Sequence, residues 1–275
     1  NWGNPSSVHT VGKKAKNLLE EARARAAKAM GVKAENIYFT SGGTESDVIP
    51  LLSVLNKPSK GTVLISSIEH PAIREQAEAM KHLGWNIISI PADSDGRIKP
   101  EAVTSLLTGD TMLVCVMAVN NETGSIQPIY EIADAITKAC QGKRRPKFHV
   151  DCVQAAGKIK LDLNYKGIDS AALSSHKICG PRGTGILYMK DVIEPFLRGG
   201  GQEKNIRSGT ENVLGAVAFS KCLERYYNKD NSKQTAKTND FIEKLSQLPG
   251  CTIVPASRLE KKDLFSPYVV QAAFD

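Results

Sequence analysis

Short polar clusters in this chain each follow an apolar run, and their residue types can do chemistry together. Gly42-Gly43-Thr44 follows Ile37 to Thr40, Glu69-His70 follows Val63-Leu64-Ile65, and Asn120-Asn121-Glu122 follows Met112 to Val119. Asp151 follows Phe148-His149-Val150, and His176-Lys177 follows Ala171-Ala172-Leu173. A partly desolvated lysine such as Lys177 can form an imine with a carbonyl group. A buried aspartate such as Asp151 can pair with a pyridinium nitrogen and keep it protonated. A glycine turn that opens a helix leaves free N–H groups that bind phosphate. His70 can lie over a ring or move protons. Each has a plainer reading alone: Lys177 as a surface charge, Asp151 as a turn residue, His70 as a cap before Pro71. Jointly they describe a site for a phosphorylated carbonyl cofactor.

The elements that would position these residues are legible in the apolar pattern. Strands are expected over 36–40, 62–66, 86–90, 112–119, 148–150, 170–173 and 185–189. Helices are expected from Ser6 or Ser7, as cap, to Met30, with Gly31 as the stop. Leu18, Leu19, Ala22, Ala26 and Met30 give that helix its apolar stripe. Further helices are expected from about Thr44 with a kink or early end at Pro50, and over 71–83, 100–107, 129–140, 213–227 and 238–248. Apolar strands alternating with helices predict an α/β fold, a mainly parallel sheet sandwiched by helices. In such sheets ligands bind outside the carboxyl ends of the strands, where all these clusters fall. The polar stretch 229–237 is the expected boundary. Residues 1–230 would form a large domain and 231–275 the incomplete start of a small α+β domain.

The chain has 275 residues, 41% apolar and 24% charged, which excludes global disorder and a coiled coil. No run approaches the ~18 apolar residues of a membrane span. Asn1-Trp2-Gly3, without Met or a signal pattern, reads as a mature or trimmed start. The net charge of +7 permits an anionic ligand without demanding nucleic acid. The compact basic run 143–147 reads as a solvated loop. Six cysteines are too dilute for a disulfide scaffold and read as a reducing compartment, cytoplasm or an organelle matrix such as the mitochondrial one.

These motifs closely resemble the NifS/IscS-type cysteine desulfurases, with selenocysteine lyase as near kin, among the class V, fold-type I pyridoxal-phosphate enzymes. The matching stretches are 3–9, Phe39 to Ser46, Glu69-His70, Asn120 to Gly124, His149-Val150-Asp151 with Gln154, Ser174 to Lys177 with Gly180-Pro181, 199–203 and 207–212. They run in family order. The resemblance implies that Lys177 holds the cofactor covalently and moves the substrate's Cα proton. Asp151 would pair with the pyridine nitrogen, Gln154 bond the phenolic oxygen, and His70 stack on the ring with a catalytic part. Gly43, Thr44, Ser174 and His176 would hold the phosphate, and Asn121 would orient cofactor and substrate. Thr210 would reach the phosphate of the partner subunit, making a homodimer with shared sites. The substrate would be L-cysteine or, alternatively, L-selenocysteine. A sulfur-acceptor or scaffold protein would take the product toward iron–sulfur cluster or thio-cofactor biosynthesis, with no nucleic acid or membrane involved.

Departures from the family pattern are also visible. The family's N-terminal strand precedes this stretch, and its catalytic-cysteine loop and substrate-binding Arg are expected beyond Asp275. Cys152 stands where Ala is usual and Cys179 where an aromatic is usual, so a redox-sensitive site is expected. Three other readings compete, one of them another class V activity, such as an aminotransferase or a kynureninase-like hydrolase, which the Arg207 to Asn212 segment disfavours. His149-x-x-Cys152 with His176-x-x-Cys179 has zinc-like spacing, though without a zinc-knuckle turn. A degenerate relative acting as a scaffold or nucleic-acid binder would suit the charge, but no RNA-binding aromatic motif or helix-turn-helix accompanies it.

Overall fold

The computed structural model describes residues 3–275; Asn1 and Trp2, on which the reading of a trimmed start rests, lie outside the described residues. The elements follow in the order α1 (Thr10–Met30), β1 (Ile37–Thr40), α2 (Gly43–Ser53), β2 (Thr62–Ser66), α3 (Pro71–His82), β3 (Asn86–Ile90) and α4 (Pro100–Ser105). Then come β4 (Thr111–Cys115), α5 (Ile129–Ala139), β5 (Lys147–Asp151), β6 (Ser170–Ser174), β7 (Gly185–Met189), α6 (Val213–Tyr226), α7 (Ser232–Leu245), β8 (Cys251–Val254) and β9 (Gln271–Phe274).

Strands β1 to β7 make one sheet in the order β1-β7-β6-β5-β4-β2-β3. The pairs β3/β2, β2/β4, β4/β5 and β5/β6 are parallel, and β7 runs antiparallel to both β6 and β1. The sheet is therefore mainly parallel, as expected. Its strands other than the edge strand β3 are buried on both sides because their alternate side chains enter different cores. Leu64 and Val114 pack with Leu19, Ile132 and Phe219 from α1, α5 and α6. Val63, Ile65 and Leu113 pack with Leu51, Ile73 and Met80 from α2 and α3. Strands β8 and β9 form a separate antiparallel pair.

Several local expectations need correction. The cap of α1 is His9, whose Nδ1 accepts the Gly12 N–H at 3.2 Å. Ser6 and Ser7 are instead tied into a turn by Asn4, whose side chain and carbonyl take their N–H groups. Gly31 does stop the helix, in the left-handed region that glycine tolerates. Leu18 is exposed, outside the stripe that Leu19, Ala22, Ala26 and Met30 bury. Pro50 stays inside α2 and is buried. Regular pairing in β4 ends at Cys115, although Val116 and Ala118 still donate to the carbonyls of His149 and Asp151. Helix α7 begins at Ser232, earlier than its apolar residues suggest, because Asp230 takes the Ser232 N–H and hydroxyl.

Candidate active site

The carboxyl ends of β1, β2, β5 and β6 open on one cavity of about 270 Å³. It is lined by Gly43, Thr44, Asp47, His70, Met117, Asn121, Asp151, Val153, Gln154, Ser174, His176 and Lys177. Every cofactor-binding candidate from the sequence is here except Thr210. That residue sits in a neighbouring depression with Ser41, Thr184, Arg207 and Asn212. Arg207 is held there by Glu45, Nε to Oε1 at 3.0 Å.

Gly43 starts α2, whose first N–H groups have no intrahelical partner. A side chain at Gly43 would come within 2.7 Å of Val153 Cγ2, so glycine is what lets the helix start abut the loop after β5. The N-terminus of α2, the Thr44 and Ser174 hydroxyls and the His176 ring converge on one side of the cavity, a donor set suited to a phosphate. Ser174 Oγ lies 2.9 Å from His176 Nδ1.

His70 caps α3 and lines the cavity at once. Its Nδ1 accepts the Ala72 N–H at 3.1 Å, which leaves Nε2 as the protonated nitrogen of the neutral ring. Pro71 at the first helical position fixes the entry of the chain.

Asp151, at the end of β5, is buried and takes the Val153 N–H on Oδ1 at 2.8 Å. Among the described residues no Lys or Arg pairs with it. Burial pushes its carboxyl up, against the pull of the Val153 N–H and of His70. Beneath it lie two further buried carboxyls. Asp47 is raised well above the usual range by burial and by the charges of Asp151 and Glu69. Glu69 is pushed up to about 8 by burial, although Ser66 and the Met117 N–H hydrogen bond to its Oε1. Asp47 and Glu69 are thereby favoured in their neutral, protonated forms, and Asp151, which the Val153 N–H and His70 pull the other way, is the carboxyl at the cavity wall that can carry a charge opposite a positive ring nitrogen.

Sequence reading missed several supports. His149 bridges Asp47, Nε2 to Oδ1 at 3.1 Å, and Ser170, Nδ1 to Oγ at 2.8 Å. Burial lowers the His149 ring to about 3, so this pair is neutral. Lys158 donates to Gln154 Oε1 at 2.5 Å. A basic residue four positions after Gln154 was the available signal for that contact.

Lys177 lies on a short 3-10 turn after β6 and is exposed, not partly desolvated as expected, because the turn lifts it off the end of the strand. Cys152 packs in the apolar core and Cys179 is exposed, and neither lines the cavity. The expectation of cysteines flanking the site holds along the chain only. The zinc-like pairs do not assemble: both nitrogens of His149 are taken, and among the described residues no group of three or more His, Cys, Asp or Glu is placed to hold a metal.

The donor set, the buried Asp151 and the exposed lysine fit pyridoxal phosphate. Each of its functional groups has a partner of matching chemistry: donors for the phosphate, a buried carboxylate for the pyridine nitrogen, a flat imidazole for the ring and an amine for the aldehyde.

Comparison with known proteins agrees. The profile of the Aminotransferase class-V family matches residues 1–270. A "NifS/IcsS protein homolog" of Lactobacillus delbrueckii subsp. bulgaricus is 38% identical over 291 aligned positions, covering 100% of this chain and 71% of that protein. A "Cysteine desulfurase IscS" of Dictyoglomus turgidum is 40% identical over 227, covering 81% of this chain but only 56% of its own length. A solved "NIFS-LIKE PROTEIN" superposes with a TM-score of 0.90 at 34% identity, over 99% of this chain and 74% of that one. The aligned stretch thus spans between about half and three quarters of these relatives.

Proposed function

The chain belongs to the class-V aminotransferase family, within its NifS/IscS type and with the fold-type I architecture, and we propose that it is the cofactor-binding part of a pyridoxal-phosphate-dependent cysteine desulfurase. In this reading L-cysteine gives up its sulfur and leaves as L-alanine, and the sulfur passes as a persulfide toward iron–sulfur cluster or thio-cofactor assembly. The observation that carries the reading is the gathering of Lys177, Asp151, His70, Gln154, Asn121 and the Gly43 helix start around one cavity. The likeness to relatives named cysteine desulfurase favours L-cysteine over L-selenocysteine.

Bound pyridoxal phosphate would supply an electron sink for a carbanion at the substrate Cα. The chain's own residues do the rest. The α2 N-terminus with Thr44, Ser174 and His176 anchors the phosphate. Asp151 keeps the ring nitrogen protonated. His70 presents its ring face to the cavity while its Nδ1 is locked on α3. Gln154 donates to the phenolic oxygen, and Asn121 orients the substrate side. Lys177 would hold the cofactor through its amine and would move the proton at the substrate Cα. Its exposure gives it the freedom to move between these two positions.

The same reading assigns residues 1–230 to a large domain and 231–275 to the start of a small one. It makes the protein a homodimer in which Thr210 serves the partner subunit's phosphate. The placement of Thr210 outside its own cavity supports this. A sulfur-acceptor or scaffold protein receives the sulfur. Six free thiols suit a reducing cytoplasm or organelle matrix. Among the described residues no helix is long and apolar enough to cross a membrane.

The deciding experiment is borohydride reduction of the protein with pyridoxal phosphate, followed by peptide mapping. Label on Lys177 is expected. Label on another lysine, or none in folded protein, would overturn the reading.

A further inference from the structure

Lys158 belongs to none of the roles above, yet it sits against the cavity wall. It follows Gly157, whose φ of +70° takes the chain through a tight turn. A side chain at Gly157 would meet Ile178 Cδ1 at 2.6 Å and the Tyr226 carbonyl at 2.9 Å. Glycine therefore permits the Lys158 turn to press against the turn that carries Lys177. Asn231 pins this arrangement by donating to the carbonyls of Gly157 and Lys158, at 3.3 and 3.0 Å. From there the half-buried Lys158 Nζ reaches Gln154 Oε1 at 2.5 Å.

An ammonium group donates only. It fixes which end of the Gln154 amide faces it: the oxygen turns to Lys158, and the Nε2 hydrogens are left for the cavity that Gln154 lines. Without that ammonium the amide is free to turn over and present its carbonyl oxygen, an acceptor, where a donor is needed. We propose that Lys158 is a positioning residue that locks Gln154 as a hydrogen-bond donor toward the phenolic oxygen of bound pyridoxal phosphate. The inference rests on the cofactor reading above and deepens it.

Burial and the neighbouring Lys177 charge lower Lys158 to about 8, with Cys179 opposing. Holding a lysine there has a cost, which the contact with Gln154 offsets. A lysine kept for solubility alone would stand out in water.

The test uses the full-length protein and measures pyridoxal-phosphate affinity together with the position of the visible absorption band. Lys158→Met should weaken affinity about 3- to 10-fold and displace the band as Gln154→Ala does, the size expected for one lost hydrogen bond. Lys158→Gln, which can accept as well as donate, should behave similarly, and keeps the test available if the Met variant folds poorly. Lys158→Arg should restore the wild-type band. Adding Lys158→Met to Gln154→Ala should change nothing further. Wild-type affinity and band in both Lys158→Met and Lys158→Gln would overturn the proposal. So would an equal additional loss in the Gln154→Ala background, which would make Lys158 a charge effect on Lys177. In either case normal cofactor uptake by the wild type leaves the functional reading standing. A folded wild type that takes up no cofactor removes that reading, and this inference with it.

Discussion

Arg23 grips Glu203 with both ends of its guanidinium, Nη1 to Oε2 at 2.7 Å and Nη2 to Oε1 at 2.6 Å, with both side chains buried. Arg23 Nη1 also donates to the Ile37 carbonyl, and the Phe39 N–H donates to Glu203 Oε2, each at 2.7 Å. The pair thus ties α1, β1 and the 3-10 turn Gln202–Asn205 together. Burial lowers the Arg23 pKa but the two glutamates more than offset it, so the net shift is upward. Arg23→Ala leaves Glu203 buried without its cation and should cost about 3–5 kcal/mol. Urea unfolding is the measurement, and a loss under about 1 kcal/mol would contradict the assignment.

Asp151→Asn keeps the shape of the side chain but replaces a carboxylate by a neutral amide. Cofactor uptake should persist while alanine formation from cysteine falls about 10- to 100-fold or more, the value of a charge-assisted hydrogen bond that strengthens as charge moves into the ring. The full-length variant, assayed for alanine, checks this. Wild-type turnover would mean that Asp151 does not serve the ring nitrogen.

What the sequence disclosed and what it hid divide along physical lines. Strands β2, β3 and β7 were legible to the residue because Gly61 and Ser67 bound the first apolar run, Pro91 stops the second, and Thr184 and Lys190 bound the third. The cavity was legible because its residues sit in short local motifs at strand ends, and the parallel sheet aligns those ends on one edge. Arg23 with Glu203, Asp47 with His149, and Lys158 with Gln154 were hidden. The first pair is 180 positions apart and the second 102, and no local pattern marks a partner at that range. The Lys158 contact is local, but it depends on a glycine turn pressing against a distant one. His9 displaced the serines as cap for a similar reason: Asn4 had already claimed their N–H groups.

Glu69 makes stability depend on pH in a predictable direction. Its folded pKa of about 8 lies above the ordinary value of 4.5, so between those limits the folded state keeps a proton that the unfolded state has lost. Stability from this group is therefore full below pH 4.5 and declines as pH rises toward 8. Glu69→Gln, which keeps an oxygen for Ser66 and the Met117 N–H, removes that decline. The variant should gain on wild type between pH 5 and 8, by on the order of a few kcal/mol. Denaturant melts of the cofactor-free protein at both pH values are the check, and an unchanging difference would refute the buried-acid account.

Thr210 faces a depression apart from the cavity of its own chain, so its proposed contact with the phosphate requires a second copy. Mixing Lys177→Ala subunits with Thr210→Ala subunits should then rebuild one intact site per mixed dimer. Random exchange predicts about a quarter of wild-type activity from two nearly inactive parents. No recovery in a mixture that sedimentation shows to have exchanged would place Thr210 in its own subunit's site or in none.

A sulfur-transferring cysteine must be exposed, activated as a thiolate and carried on a segment that can travel to the substrate and then to an acceptor. The cysteines of this chain are placed otherwise. Cys115 and Cys152 are buried, and burial pushes both thiols well above the usual range, which suppresses the nucleophile. Cys140 ends α5, Cys222 lies within α6 and is raised by burial, and Cys251 opens β8. Cys179 alone is exposed, but it closes the 3-10 turn of Lys177 in a left-handed conformation, where its N–H is bonded to Ser175. It has no length of loop to carry it. Residues 1–275 alone, folded and loaded with pyridoxal phosphate, should therefore accumulate no persulfide from cysteine, whereas the full-length protein should. A persulfide-labelling assay on both, with mass spectrometry of the labelled peptides, decides the matter. Cysteine-dependent persulfide on Cys179 at a rate near that of the full-length protein would put the nucleophile inside this stretch.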